Sequence, residues 1–406
     1  MRRVFHIDLD AFFVEVERAH DPSLIGRPVV VGGEANSRGV VTCASYEARP
    51  YGLRAGMLLT QAYRLCPDAI YLTGRYDRYA EVSRGFHDLL ASYSPFIEPL
   101  GMDEAFLDMT GFESLYGPLG RVAGEIKEQV RRDLKITASV GIASSKVVAK
   151  VASDYGKPDG LVEVPAGMDA RFLAPLPVVD LPGVGDKTAR TLREVLEVES
   201  VGDLAALPPT ALRRAFGAWG DLLYLWARGE DHSPVHGPEP PKSIGRETTF
   251  HQDSRDVSFL LSTLRYLAER VGAELRKEGK KARCVSARVR FSDFETVSHQ
   301  RTLKTPVSHD EGIYEAGAAI LLKTLKERRE KARLIGKSVS DLVLNVPQMT
   351  LFRRPEEKFL DLSAVMDKVR DRYGFTSLQT GRTFVLSGHF PSERRGYILK
   401  TASLSR

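Results

Sequence analysis

The sequence predicts an α+β protein made of several domains. Its length of 406 residues exceeds what one hydrophobic core usually organises. Through residues 1–165, strand and helix signals alternate in an order close to β-α-β-β-α-β, which is typical of a two-layer sheet with helices on one face. A proline-rich stretch, residues 231–241, predicts an extended linker before a later module of strands and two helices. We therefore expect separate folding units joined by this linker.

The first predicted strand, residues 4–9, carries acids on one face. Alternation would place its apolar side chains on one face and its polar side chains on the other: Phe5, Ile7 and Leu9 against His6, Asp8 and Asp10. This pattern predicts a half-buried strand with an open acidic face. Asp10 stands where the N-cap of the next helix belongs, so we expect a structural cap there. Asp8 has no such role and is a candidate functional residue.

Two further acids, Asp103 and Glu104, follow a break in a strand–turn–strand pattern over residues 97–109. Pro99 and Gly101 supply the break. Adjacent residues in a regular strand point to opposite faces, so both acids could serve one site only near a turn. Magnesium takes oxygen ligands, and two-metal chemistry needs carboxylates that converge from more than one strand. On spacing alone, solvated acids on a turn remain the alternative.

The remaining segments give a coarse outline of the chain. We predict a compact insertion at residues 11–74 and a strand at 137–142. Helices are predicted at residues 117–134, 144–155 (capped by Ser144), 256–278 and 310–330. A small helical module spans residues 181–226. One further helix in the tail would carry an apolar face formed by Leu362, Val365, Val369 and Tyr373.

Composition excludes some classes of protein and favours others. No run of about 18 apolar residues could span a bilayer. Three scattered cysteines, Cys43, Cys66 and Cys284, indicate neither a disulfide framework nor a zinc site, so we expect a cytoplasmic protein. Residues 1–165 carry 19 Lys and Arg against 22 Asp and Glu, whereas residues 242–345 carry 21 against 14. The basic later module could grip a polyanion, although a salt-bridged surface remains the alternative.

Three segments together resemble the signatures of Y-family DNA polymerases, and most closely the DinB (DNA polymerase IV) branch: residues 5–13, 44–49 and 102–108. The resemblance implies a right-hand polymerase with a ferredoxin-like palm, small fingers, a helix-hairpin-helix thumb and an α/β little finger. The implied domains are the palm (1–10 and 75–165), fingers (11–74), thumb (166–232), linker (233–241), little finger (242–345) and tail (346–406). The implied activity is error-prone, template-directed translesion synthesis from dNTPs, without proofreading.

The resemblance also implies roles for single residues. Asp8, Asp103 and Glu104 match the catalytic ligands of two Mg²⁺ ions, and the Leu9 carbonyl matches a further ligand. The matches for nucleotide binding are Phe12, Phe13, Cys43, Tyr46, Arg49 and Lys157. Within that set, Phe13 matches the steric gate against a 2′-hydroxyl, although a core aromatic is the alternative. Tyr46 and Arg49 match the triphosphate clamp, and Lys157 matches a phosphate-binding lysine.

Two positions depart from the family pattern. Cys43 stands where the family usually has Thr, and Gly101 stands where it usually has Ser. Neither change removes a metal ligand. We therefore expect altered nucleotide affinity or lesion preference rather than inactivity.

Partners are implied by segments outside the acidic site. Residues 182–185, Pro-Gly-Val-Gly, resemble a helix-hairpin-helix turn that contacts DNA phosphates, although an ordinary tight turn is the alternative. Basic residues recur on candidate strands of the later module: Arg283, Arg288, Arg290, Arg301 and Lys304. Gln348, Leu351 and Phe352 belong to a pentapeptide that resembles the sliding-clamp docking motif. We expect a monomer that binds primer-template DNA, dNTPs and the clamp; a catalytically silent scaffold and a nucleotidyl cyclase are the rival hypotheses.

Overall fold

The computed structural model describes residues 1–346 and 355–399. The chain divides between Glu239 and Pro240 into two units, each with its own hydrophobic core. Within the described residues, no helix is both long enough and apolar enough to cross a membrane.

The first unit begins with an α/β part and ends with a helical part. In chain order, the α/β part contains β1 (Val4–Leu9), α1 (Phe12–His20), β2 (Val29–Val31), β3 (Cys43–Ala44), α2 (Leu59–Leu65), β4 (Ile70–Leu72), α3 (Tyr76–Ala91), β5 (Ile97–Pro99), β6 (Glu104–Asp108), α4 (Glu113–Tyr116), α5 (Leu119–Leu134), β7 (Ala138–Ala143), α6 (Lys146–Tyr155) and β8 (Leu161–Glu163). The helical part contains α7 (Asp169–Leu173), α8 (Asp186–Leu196), α9 (Val201–Ala206), α10 (Pro209–Phe216) and α11 (Ala218–Trp226).

The main sheet has the order β5-β6-β1-β7-β8. Strand β1 lies at its centre, antiparallel to both β6 and β7. Phe5 and Ile7 pack with α3 and α5 on one face, whereas Val4 packs with α6 on the other. The prediction of helices on one face is therefore wrong. Gly141 of β7 explains the close approach of α6, because a Cβ at this position would collide with the carbonyl of Ala149.

Asp10 is buried but does not cap a helix. The N-cap of α1 is Ala11, which has a left-handed φ of 39° and forms no side-chain cap. The backbone of Asp10 still follows the sheet, since its N–H donates to the Thr137 carbonyl at 3.0 Å. Its carboxylate consequently points into the fold and accepts from the Ser139 hydroxyl at 2.8 Å and the Asp159 N–H at 2.9 Å. The predicted cap is wrong because α1 begins at Phe12, one residue later than the helix pattern indicates, so that Ala11 rather than Asp10 precedes the helix.

The predicted cap of α6 is displaced by one residue. Ser145, rather than Ser144, accepts a hydrogen bond from the backbone N–H of Val148, at 3.4 Å.

Residues 11–74 contain a small separate sheet of order β3-β2-β4. Its central strand, β2, is parallel to β4 and antiparallel to β3.

The proline-rich stretch contains neither helix nor strand, as predicted. Its start is nevertheless fixed to the first unit. Lys146 Nζ donates to the Pro234 carbonyl at 3.1 Å, and the His236 N–H donates to Glu98 Oε2 at 3.4 Å. Val235 is buried in the core shared by α6 and the helical part. The extended stretch is therefore held by the chain that precedes it.

The second unit contains one larger sheet and a helical layer. Its elements are β9 (Ser243–Ser254), α12 (Val257–Lys277), β10 (Lys280–Phe291), β11 (Thr296–Val307), α13 (Asp310–Glu327), β12 (Ala332–Leu344), α14 (Pro355–Tyr373), α15 (Gly381–Phe384), β13 (Ser392–Glu393) and β14 (Gly396–Tyr397). The sheet order is β11-β10-β12-β9, with antiparallel neighbours throughout. Helices α12 and α13 cover one face of this sheet.

Helix α14 confirms the predicted tail helix but not its buried face. Leu362, Val365 and Tyr373 are 55%, 56% and 63% exposed, whereas Met366 and Arg370 are buried. The inward face carries charge: Arg370 donates to Glu269 of α12 at 2.6 Å. The apolar pattern misled the prediction because a buried ion pair, rather than apolar contact, sets the orientation of the helix.

Candidate active site

The register of β1 against β6 brings the three predicted acids to one end of the main sheet. Asp8 lies directly opposite Glu104, the first residue of β6. The Leu9 N–H donates to the Asp103 carbonyl at 2.8 Å, which fixes the bend before β6 beside β1. Asp103 thus lies in an irregular segment and Glu104 in a regular one. The predicted turn is what allows neighbouring acids to approach one site.

One group of side chains among the described residues could hold a metal ion, and it includes a histidine. One ligand atom each from His6, Asp8 and Glu104 lies within 4.8 Å of the other two, and Asp103 is outside this group. His6 was not among the predicted site residues. Strand alternation contains the signal, because His6 and Asp8 are two residues apart and share a face of β1. The carboxylate oxygens present suit a hard divalent cation such as Mg²⁺.

Glu104 is held by two nitrogen groups, one from the neighbouring strand β1 and one from α6. His6 Nε2 lies 3.2 Å from Glu104 Oε2, and the Lys150 ammonium group forms an ion pair with the same oxygen. Burial opposes ionisation of Glu104, but hydrogen bonding to His6 and the charge of Lys150 outweigh it and lower its pKa to about 2. Burial lowers the pKa of His6. Glu104 therefore carries its negative charge at neutral pH.

Asp8 has a different electrostatic environment. Burial raises its pKa to about 7, against the opposing charge of Lys157, while Glu104 and Asp103 add repulsion. Burial also raises the pKa of Asp103, and the charge of Glu104 adds to that effect. Three acids so close together repel one another without a cation among them. The site is therefore built to gain stability from positive charge.

Lys157 supplies part of that positive charge. Its Nζ lies 2.9 Å from Asp8 Oδ2 and 2.7 Å from Asp154 Oδ1. Burial opposes the charged form, but the carboxylates of Asp8 and Asp154 outweigh it and raise the pKa of Lys157. The ammonium group is thus fixed next to a predicted metal ligand, and its predicted phosphate contact would require it to turn away from Asp8.

Phe13 is held rigidly at the start of α1. Its ring stacks on Tyr79 with a centroid separation of 4.3 Å and an interplanar angle of 17°. The Tyr79 hydroxyl donates to Glu17 at 2.7 Å, which fixes the ring beneath Phe13. Phe13 is half-buried, whereas Phe12 is buried in the core. Core packing and a gate function are therefore compatible at Phe13.

The two residues predicted to form the triphosphate clamp, Arg49 and Tyr46, stack on each other. The Arg49 guanidinium lies 3.9 Å from the centroid of the Tyr46 ring. The Tyr46 hydroxyl donates to Asp10 Oδ1 at 3.3 Å, and burial together with the Asp10 charge raises the pKa of Tyr46 to about 12. Cys43 accepts from the backbone N–H groups of Val14 and Phe13, and burial raises the pKa of its thiol. These side chains face the start of α1 from the neighbouring strand and loop.

Gly101 leaves little room for a larger residue. A Cβ at this position would lie 3.3 Å from Asp103 Oδ1, which is tighter than an ordinary contact. The departure from the family pattern therefore lies against a predicted metal ligand.

Comparison with known proteins covers most of the chain. Residues 7–154 match the impB/mucB/samB family, residues 241–351 match the C-terminal domain of that family, and residues 179–231 match the DNA polymerase-iota thumb domain. DNA polymerase IV of Dehalococcoides mccartyi (strain CBDB1) is 45% identical over 391 residues, which cover 96% of this chain and 100% of the relative. The chain belongs to the Y-family of DNA polymerases. The predicted family is thereby confirmed, with the DNA polymerase IV type as its branch.

Other relatives and solved structures support the same assignment. DNA polymerase IV of Alkalilimnicola ehrlichii is 39% identical over 355 residues, which cover 86% of this chain and 99% of the relative. The Y-family DNA polymerase chimera Dbh-Dpo4(243-245)-Dbh superposes with a TM-score of 0.76 at 28% identity, over 84% of this chain and 100% of the other. The insertion ternary complex of Dbh DNA polymerase gives a TM-score of 0.60 with the same coverage. The right-hand fold and the DNA-directed DNA polymerase activity are therefore as predicted.

The predicted basic residues of the polymerase's second unit lie on different faces of its sheet. Arg288 and Arg290 share the face turned away from α12 and α13, since the residues between and beside them, Ala287 and Val289, are buried. Residues that lie directly opposite each other on antiparallel strands share a face of the sheet. Arg301 of β11 lies opposite Val285, a core residue, so Arg301 is on the face that carries the core. Arg283 and Lys304 are exposed. Strand alternation therefore correctly places Arg288 and Arg290 on one face, but the five basic residues do not form a single basic face.

The helix-hairpin-helix turn of the polymerase begins a helix as predicted. Gly183 has a φ of 80°, and Gly185 precedes the first residue of α8, Asp186. A Cβ at Gly183 would also meet the Trp219 ring at 2.8 Å. The pentapeptide that contains Gln348, Leu351 and Phe352 lies outside the described residues, so its docking role stays a prediction.

Proposed function

We propose that this polymerase performs error-prone translesion synthesis, extending a primer 3′-hydroxyl with dNTPs by two-metal nucleotidyl transfer, without proofreading. The observation that carries the proposal is the alignment of Asp8 opposite Glu104, with Asp103 fixed beside them by the Leu9 N–H. Nucleotidyl transfer needs carboxylates from two strands at one point. The family membership supports the reaction class, and this geometry supports the choice of these residues.

Two Mg²⁺ ions are proposed as cofactors, with Asp8, Asp103, Glu104 and the Leu9 carbonyl as protein ligands. When bound, such ions activate the attacking hydroxyl and stabilise the leaving triphosphate. The chain's own contribution is to hold the carboxylates and to keep Glu104 ionised. The mutual repulsion of the acids favours binding of cations over the empty site.

The proposed nucleotide site lies between the start of α1 and the residues that face it. The stacked pair of Arg49 and Tyr46 presents a guanidinium and a phenol hydroxyl to phosphate oxygens. Lys157 would leave Asp8 and bind the triphosphate. Phe13 would lie under the sugar, with its ring held by Tyr79. Phe12 and Cys43 would shape the same site from the core side.

Primer-template DNA is the proposed macromolecular substrate, and a structural neighbour, the insertion ternary complex of Dbh DNA polymerase, supports this proposal. In this proposal, the palm and fingers are residues 1–165, the thumb is 166–232 and the little finger is 242–345. The thumb would contact phosphates through the N–H groups of its Gly183–Gly185 turn, and Arg288 and Arg290 would contact the backbone electrostatically. Added salt should then weaken DNA binding steeply, and a shallow dependence would contradict the basic contacts.

A sliding clamp is the proposed partner, bound through Gln348, Leu351 and Phe352 as an extended peptide. A monomeric state and a cytoplasmic location complete the proposal. Binding to purified clamp, compared between the wild type and a Leu351→Ala/Phe352→Ala variant, tests this partner. Equal binding by both proteins would remove the peptide from the proposal.

Primer extension with magnesium tests the enzymatic proposal against a catalytically silent scaffold. The wild type should extend a primer, and an Asp103→Ala/Glu104→Ala variant should not. Extension by the variant, or none by the wild type, would overturn the proposal. A primer with a mismatched 3′ end should be extended or left intact, and its excision would contradict the absence of proofreading.

A further inference from the structure

Lys150 of α6 occupies the space next to the ligand group that a metal ion would enter. Its ammonium group pairs with Glu104 Oε2 and lies 3.5 Å from His6 Nε2. His6 Nε2 itself lies 3.2 Å from that carboxylate oxygen. Two atoms of the ligand group, Glu104 Oε2 and His6 Nε2, therefore both lie next to the positive charge of Lys150. A divalent ion bound by Glu104 would meet the same charge at close range.

The wall of this space is rigid. His6 is completely buried, and its Nδ1 lies 2.6 Å from the hydroxyl of Ser153, which is also buried. The Ser153 hydroxyl in turn donates to the Lys150 carbonyl at 2.8 Å. His6 and the backbone of α6 are thereby tied together, so the Lys150 side chain is the part free to turn. The imidazole cannot move aside for an incoming ion.

We propose that Lys150 is a placeholder cation, a positioning residue that holds Glu104 in the absence of metal and must be displaced when a divalent ion binds. This inference rests on the proposed metal site. It adds that the affinity of the free polymerase for metal is set by competition with its own lysine. Removal of the competing charge should therefore tighten metal binding, whereas a purely supporting residue would weaken it when removed.

A second position for the displaced side chain is available. Lys150 lines a cavity of about 600 Å³ together with Asp154, Asp180 and the Gly183–Gly185 turn. Asp154 already pairs with Lys157, which leaves Asp180 as the carboxylate that can accept the ammonium group once a metal ion has taken Glu104. Asp180 precedes the helix-hairpin-helix turn, so displaced Lys150 would connect the metal site with the thumb. Loss of the Asp180 charge should then weaken metal binding, but only while Lys150 is present.

Lys146 provides a matched control on the same helix. It lies one turn before Lys150 and pairs with Glu98 at 2.9 Å and 3.1 Å. Its side chain is 11% exposed, so it is no less enclosed than Lys150. Glu98 is not a proposed metal ligand. A Lys146→Met variant therefore removes the same charge from the same helix without removing a competitor.

Binding of Mn²⁺ to the full chain without DNA or nucleotide, followed by electron paramagnetic resonance of free Mn²⁺, tests the inference. Lys150→Met should bind Mn²⁺ about fivefold to tenfold more tightly than the wild type, the equivalent of one ion pair of moderate strength. Lys146→Met should match the wild type. Unchanged or weaker binding by Lys150→Met would overturn the inference. Circular dichroism of each variant identifies any loss of folding that would otherwise mimic weaker binding.

Two further variants separate this inference from the proposed function. Glu104→Gln should lose Mn²⁺ binding; if it binds like the wild type, the proposed metal site is wrong. If Glu104→Gln loses binding and Lys150→Met fails to tighten it, the metal site stands and the placeholder role is wrong. Asp180→Asn should weaken Mn²⁺ binding by about twofold to threefold in the wild-type background and have no effect in Lys150→Met. Equal effects in both backgrounds would contradict the second position of Lys150.

Discussion

Arg370 of α14 donates to Glu269 of α12 across 2.6 Å, with the two side chains only 2% and 1% exposed. A second pair joins the same helices, because Arg276 contacts Asp367 at 2.6 Å and 2.8 Å. Tyr397 packs on Tyr266 and donates its backbone N–H to that hydroxyl at 2.7 Å. Residues 355–399 therefore form an outer layer of the second unit and share its core.

Removal of one partner of this buried pair should destabilise the second unit. Arg370→Met removes one of the two arginines that neutralise buried Glu269, the other being Arg265 at 2.9 Å, and the free energy of unfolding should fall by about 3 kcal/mol. Chemical unfolding of the full chain measures the change. Arg372→Met is the control, since Arg372 lies on the exposed side of the same helix and should change stability little. Equal stability of both variants would contradict a tail held by its buried charges.

Substitutions of Asp8 and Asp10 should have different effects, the first on the rate of nucleotide insertion and the second on the free energy of unfolding. Asp8→Asn removes a proposed metal ligand and should lower the rate of nucleotide insertion by about 1000-fold without loss of thermal stability. Asp10→Ala removes the acceptor for Thr137, Ser139, Asp159 and the Tyr46 hydroxyl, so it should lower the free energy of unfolding by about 3 kcal/mol. Thermal unfolding and single-turnover insertion measure the two effects. If Asp10→Ala lost insertion as severely as Asp8→Asn while remaining folded, the structural role of Asp10 would be wrong.

The sequence predicts the acids of this site better than their surroundings. Strand alternation finds Asp8, and the break at Pro99 and Gly101 finds the bend that brings in Asp103 and Glu104. The contact between Lys150 and Glu104 could not be predicted. Lys150 belongs to α6, and the sequence pattern did not predict a helix on that face of the main sheet. Strand alternation places His6 on the same face as Asp8, but nothing in the sequence indicates that His6 contacts Glu104. Contacts between separate elements depend on packing, which local patterns do not contain.

The apolar periodicity of the sequence predicts that α14 is a helix but not which of its faces is buried. Leu362 and Val365 form a clear stripe in the sequence, yet both are more than half exposed. Arg370 would be assigned to the surface by its type, and its buried position depends on Glu269, about 100 residues earlier in the chain. A buried charge pair has no periodic signature, so the sequence could not reveal which face is inside.

Phe13→Ala should relax discrimination against ribonucleotides. Loss of the ring removes the side chain proposed to meet a 2′-hydroxyl, so the preference for dNTPs over ribonucleotides should fall by about 100-fold. Single-nucleotide insertion with each substrate gives the ratio of kcat/KM values. Phe86→Leu is the control, because Phe86 of α3 is buried in the same core, has no proposed nucleotide role and should affect stability rather than sugar choice. An unchanged ratio in Phe13→Ala would leave Phe13 as a core aromatic.

Gly101→Ser and Cys43→Thr should change nucleotide affinity without abolishing activity. The Cβ added by Gly101→Ser would press on the Asp103 carboxylate, whereas Cys43→Thr would place a stronger hydrogen-bonding group near the N–H groups of Phe13 and Val14. We expect KM for dNTPs to shift by about threefold to tenfold in each variant, with kcat less affected. Steady-state insertion opposite undamaged and damaged templates measures both effects. Kinetics like those of the wild type in both variants would show that these departures are neutral.

Lys337 should make the stability of the second unit depend on pH. Its side chain is 2% exposed and its Nζ lies against Gly317 with no hydrogen-bond partner among the described residues. Burial lowers the pKa of Lys337 to about 7. Between that value and the ordinary pKa of a lysine, the unfolded chain binds a proton that the folded chain does not, so stability should rise as pH increases from about 7 towards about 10.

Lys337→Met removes this proton linkage and fills the same space with an apolar side chain. The variant should have a higher Tm than the wild type at pH 7. The difference should narrow as the pH is raised to about 9.5, because burying the lysine without its proton costs less free energy as the pH approaches its pKa in the unfolded chain. Scanning calorimetry of both proteins over this range measures the difference directly, since all other titrating groups are shared. A difference in Tm that stays constant with pH would mean that Lys337 is charged in the folded protein and has found a partner.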